Sequence, residues 1–91
     1  MTYCIEFSDD ALEDIVKLKK SEKGAYEKLR KLLEELAFHP RSGTGKPKIL
    51  EGDLKGCWSR RITSKHRLIY TVNDAIVTVL VASAYGHYGD K

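Results

Sequence analysis

Arg61 and Arg67 are separated by a short polar segment, and His87 and Tyr88 close the chain after an uncharged run over residues 76–84. Two guanidiniums on neighbouring strands are able to fork onto one phosphate and stabilise a pentacovalent dianion. An imidazole that titrates near ~6.5 lends a proton to a leaving 5'-oxygen near neutrality. A tyrosine hydroxyl orients the phosphate, or its ring stacks on a base. Arg61, Arg67, His87 and Tyr88 are therefore candidates for phosphodiester cleavage in RNA without a metal. Each residue alone has a plainer reading: arginines paired with surface acids, a frayed terminal histidine, a packing tyrosine.

Positive charge is concentrated around these residues. Residues 41–70 carry eight bases and two acids, for +6, whereas residues 1–40 carry seven and nine, for −2, and residues 71–91 one and two, for −1. Such a patch attracts a polyanion and loses affinity as salt rises. The candidate RNA-binding cations are Lys46, Lys55, Arg60 and Lys65. Trp58 belongs in the core with Ile62, with base stacking as its alternative use.

His39 and His66 have no spacing that makes a metal site, and no CxxC or HxxxH occurs, so neither metal nor cofactor is expected. Cys4 and Cys57 form no framework and read as buried, reduced thiols. Acidic residues interrupt the first segment and no apolar run reaches membrane-spanning length, so the expectation is a cytoplasmic protein without a membrane partner.

These residues need a frame. Ninety-one residues, 42% apolar, suit one domain over 1–91. Tyr3, Ile5 and Phe7 alternate with polar neighbours as in a strand. Ser8 is a helix N-cap, followed by Asp9 and Asp10 at the positive helix end. Leu12, Ile15, Val16 and Leu18 form one helical stripe, ended by Gly24; Leu29, Leu32, Leu33 and Leu36 form a second, which stops before Pro40. Residues 41–47, with two glycines and a proline, read as a mobile basic loop. Three antiparallel strands are expected over roughly 57–63, 66–72 and 75–84, with turns at Ser64-Lys65 and Asn73-Asp74 and the last strand at the sheet's centre.

Gly45-Lys46-Pro47, Leu54-x-Gly56-x-Trp58-Ser59-Arg60-Arg61-Ile62, His66-Arg67-Leu68-Ile69-Tyr70 and His87-Tyr88 together resemble the YoeB/Txe toxins of the RelE-like ribonuclease superfamily. The resemblance runs from about residue 43 to 88. It implies a ribosome-dependent mRNA endonuclease of a type II toxin–antitoxin system, acting in the ribosomal A site by 2'-hydroxyl attack on the adjacent phosphate. It also implies mRNA and 16S rRNA as binding partners, a cognate antitoxin of YefM/Axe type, and a capacity to form a homodimer. Arg61 and Arg67 would contact phosphate, His87 would be the general acid, and Tyr88 would position the substrate.

One position departs from the pattern. Relatives typically read Gly-Lys-Pro-Glu, with that glutamate as general base, where this chain has Lys48 and carries Glu51 three residues on. Either Glu51 substitutes, or Lys48 acts as a base with its pKa lowered by neighbouring cations, or Lys48 impairs catalysis. The expectation is thus an α+β domain, two N-terminal helices on one face of a four-stranded antiparallel sheet, the other face a basic groove. The competing functions are a catalytically silent RNA- or antitoxin-binding module and a ParE-like topoisomerase inhibitor; the His87-Tyr88 pair speaks against the latter.

Overall fold

The computed structural model describes residues 2–75 and 78–84, with backbone only for 78–83. His87 and Tyr88 lie outside the described residues. In chain order the elements are β1 (Cys4–Phe7), α1 (Asp9–Ser21), α2 (Lys23–Leu36), β2 (Lys48–Ile49), a 3-10 turn (Gly52–Leu54), β3 (Trp58–Arg61), β4 (Arg67–Asn73) and β5 (Thr78–Ser83). They build a five-stranded sheet in the order β1-β5-β4-β3-β2.

The helices begin and end for local reasons. The Ser8 hydroxyl accepts the Ala11 amide at 3.0 Å, and Asp9 and Asp10 occupy the first turn, where the free N–H groups favour negative charge. The break between helices falls at Glu22, whose non-helical backbone (φ −141°, ψ 74°) stands at the C-cap of α1 and the N-cap of α2. Gly24, expected to be the breaker, lies inside the first turn of α2. Leu18, Leu29, Leu32 and Leu36 bury completely or nearly so and pack with Leu68 and Tyr70 of the sheet and with Ile62 just past β3. Ile5 and Phe7 of β1, and Tyr3 just before it, pack against this core. Both helices therefore cover one face.

The four-stranded, fully antiparallel sheet must be corrected. β1 pairs in parallel with β5, Cys4 opposite Thr78 through Phe7 opposite Val81, and only β2 to β5 form an antiparallel series. The extra strand, β2, has two residues paired with Ser59 and Trp58, too short for any periodicity. β5 is an interior strand, but the middle position belongs to β4. Leu12 and Val16 are each 49% exposed rather than core. The cysteines are also corrected: Cys4 is exposed and Cys57 only half-buried, since Cys4 occupies the polar phase of β1.

Candidate functional site

Strand periodicity splits β3. Trp58, Arg60 and Ile62 share the helix-side face, while Ser59 and Arg61 point to the other. The register carries that second face across the sheet: Lys48 lies opposite Ser59, Ser59 opposite Ile69, and Arg61 opposite Arg67. Opposed residues of an antiparallel pair project to the same side. The result is a buried floor, Ser59 (1% exposed) and Ile69 (4% exposed), with Lys48 and Arg61 exposed and Arg67 half-buried around it. Nη1 of Arg67 lies 3.5 Å from the Ser59 hydroxyl.

Arg61 directly opposite Arg67 is a like-charge pair, which weakens a sheet. An anion seated between the two guanidiniums would relieve that repulsion and accept from both forks. Lys48, one row along, adds a third cation. Glu51 is not in this row; it is exposed and extended (φ −114°, ψ 177°) ahead of the 3-10 turn, beyond the end of β2.

The remaining expected cations scatter. Lys46 is exposed at the end of the glycine loop, in a left-handed conformation (φ 52°) that a lysine seldom adopts. Lys55 is exposed after the 3-10 turn. Lys65 sits in the β3–β4 turn, with Nζ 3.7 Å from Glu22. Trp58, half-buried, packs against the core on the face opposite Arg61, so core packing is its role and stacking beside Arg61 is not open to it.

Arg60 corrects the list of RNA-binding cations. Its side chain is fully buried. Nε donates to the Tyr70 hydroxyl at 3.0 Å; Nη1 donates to Glu35 Oε1 and, at 3.2 Å, to the Thr44 carbonyl; Nη2 donates to the Ser42 carbonyl at 2.7 Å and to the His39 carbonyl. A guanidinium has five N–H groups, and all are used here. None is left for a phosphate.

This network also ties the loop over residues 41–47, expected to be mobile, to α2 and β3. Glu35 accepts from the Thr44 amide at 2.6 Å and from its hydroxyl at 3.0 Å. Burial pushes the Glu35 carboxyl up, but the hydrogen bonds from Thr44 and the Arg60 guanidinium outweigh it and leave the pKa lowered. Tyr70 donates to the Pro40 carbonyl at 2.7 Å. The Gly45 carbonyl accepts the Arg61 amide at 2.7 Å.

A second buried pair went unseen in the sequence. His66, fully buried, meets Glu22 at 2.8 Å through Nε2. The hydrogen bond from His66 lowers the Glu22 pKa. The pair ties the helix break to the turn between Arg61 and Arg67. With the partners 44 positions apart, no local spacing announces it. Among the described residues no cluster of three or more His, Cys, Asp or Glu could hold a metal, and no helix is long and apolar enough to cross a membrane.

Two helices thus cover one face of the sheet, and arginines on adjacent antiparallel strands lie on the other. Residues 7–88 match the family described as YoeB-like toxin of bacterial type II toxin-antitoxin system. A YoeB toxin of Mycobacterium bovis is 40% identical over 78 residues, 86% of this chain and 92% of the relative. Among solved structures, the fold superposes on a YoeB/ParE toxin from Agrobacterium tumefaciens with a TM-score of 0.87 and 30% identity, covering 93% of this chain and 99% of the other. It superposes on a YoeB-YefM complex from Staphylococcus aureus with a TM-score of 0.81 and 36% identity, covering 97% and 100%. The chain belongs to the YoeB family, toxins of bacterial type II toxin–antitoxin systems.

Proposed function

We propose that this toxin is a ribosome-dependent mRNA endonuclease that needs no metal and is neutralised by a cognate antitoxin. The observation that carries the reading is the register that opposes Arg61 and Arg67 with Lys48 one row away. A 2'-oxygen of the message attacks the adjacent phosphorus, the P–O5' bond breaks, and a 2',3'-cyclic phosphate remains. Arg61 and Arg67 neutralise the dianionic transition state, and such electrostatic stabilisation is the largest contribution a site of this kind supplies. His87 donates the proton to the departing 5'-oxygen, and Tyr88 positions the phosphate.

The proton of the 2'-hydroxyl needs an acceptor. Lys48 is the nearer candidate, because it stands in the row with Ser59 while Glu51 lies past the end of β2. A lysine accepts a proton only in its neutral form. The same cationic position supports a second reading, in which Lys48 leaves a toxin that binds ribosomes and cuts poorly. The A site of the ribosome, with its mRNA and 16S rRNA, is the substrate context. An antitoxin of the YefM type is the partner, as in the Staphylococcus aureus complex, and the free toxin self-associates.

Toeprinting on programmed ribosomes tests the reading. The wild-type chain is expected to cut within the A-site codon, and Lys48→Glu to cut faster if Lys48 impairs the base. A slower Lys48→Glu variant would make Lys48 the working base. Ribosome binding with intact message by both proteins would replace the endonuclease with the silent module.

A further inference from the structure

The adjacent arginines of β3 divide the labour: one faces the proposed substrate and the other faces the protein. Arg60 reaches the carbonyls of His39, Ser42 and Thr44, and its partner Tyr70 reaches that of Pro40. These carbonyls belong to the connection from α2 to β2, which has no ladder to satisfy them. Backbone oxygens turned away from water need partners. A planar fork with five donors meets several at once, where an ammonium has only three donors and no fixed plane.

The connection so gathered leads directly to the site. Thr44, held by Glu35 and by Arg60, is followed by Gly45 and Lys46, both left-handed (φ 86° and 52°), then by Pro47 and Lys48. The Gly45 carbonyl is fixed by the amide of Arg61, so the loop and the phosphate-facing arginine are registered against each other. A Cβ on Gly45 would come within 2.9 Å of the Arg61 carbonyl and 3.3 Å of the Arg60 Cβ. The path from the guanidinium to Lys48 therefore has little slack.

We propose that Arg60, with Glu35 and Tyr70, forms a positioning network that sets Lys46 and Lys48 relative to Arg61 and Arg67. The inference rests on the endonuclease reading for its catalytic consequence, and on the loop geometry alone for its structural one. These residues touch no substrate; they act through the loop.

Tyr70→Phe and Glu35→Gln test it in the full-length chain. Each keeps the side-chain shape, removing the acceptor of Nε and the donor to Pro40 in one case and the charge opposite Nη1 in the other. On programmed ribosomes, each is expected to lower the saturated cleavage rate by about 10-fold or more while ribosome affinity stays within about 2-fold, because small misplacements of reacting groups are costly. Amide exchange at Thr44 and Arg61 should quicken in the same variants while exchange in the α1 core stays protected. Weakened ribosome affinity with an unchanged saturated rate would make the network part of the RNA interface and overturn the proposal. So would unchanged exchange at Thr44 and Arg61. A wild-type chain that does not cut sinks the endonuclease reading instead, and the exchange experiment then decides the positioning claim by itself.

Discussion

At the scale of single residues, what decides a role is the direction of a side chain. Arg60 and Arg61 are chemically identical neighbours, yet one is fully buried and the other exposed. Gly45 shows the same dependence on backbone. With φ at +86° and the Arg61 carbonyl 2.9 Å from a built Cβ, Gly45→Ala is expected to cost roughly 1–3 kcal/mol, the range for a strained left-handed residue. A fall in the urea midpoint with an unchanged slope is the signature; an unchanged midpoint would show that the loop yields. The WSRRI and HRLIY runs reveal the family in the sequence, but they do not say which arginine faces in. A period-two count from Trp58 would have placed Arg60 with Trp58 and Ile62 on the apolar side. The five acceptors around it come from α2, β4 and an irregular loop, and no pattern within β3 reports them.

At the scale of elements, two buried or half-buried contacts hold the helical hairpin, one to β3 and one to the β3–β4 turn: Glu35 with Arg60 and Glu22 with His66. Both carboxyls have lowered pKa values, Glu22 first through the hydrogen bond from His66, Glu35 because its hydrogen bonds outweigh burial. A carboxyl depressed in the folded state contributes stability that is fully present above its unfolded value, about 4.3, and is lost as pH falls through the folded one. Stability should therefore decline on acidification below about pH 4–5. Glu22→Gln should flatten that decline relative to the wild type, as read from denaturation midpoints along a pH series; parallel curves would remove the Glu22 contact as a source. The alternating β1, the capped α1 and the apolar stripe of α2 are legible because their periods repeat. The two-residue β2 and the parallel pairing of β1 with β5 are not, since one has no period and the other is set by the return of the whole chain.

At the scale of the whole molecule, charge is divided by region: +6 over residues 41–70 against −2 and −1 in the flanking parts. A surface that binds RNA through such a patch releases counterions, so affinity for programmed ribosomes should fall steeply with salt. Replacing a cation that contacts phosphate reduces the slope of log affinity against log salt by about 0.7–0.9. Arg61→Ala is expected to show that reduction. Tyr70→Phe, which alters no charge, should keep the wild-type slope, and a reduced slope there would return Arg60 to the RNA interface.

The most direct test of the central claim is a double-mutant cycle of Arg61→Ala and Arg67→Ala, read as single-turnover mRNA cleavage on programmed ribosomes. Each single variant is expected to slow cleavage by about 10²–10³-fold. Two guanidiniums that clamp one phosphate act as a unit, so the double variant should lose little beyond the worse single one. Fully additive losses, or a wild-type chain that leaves the message intact, would contradict the account.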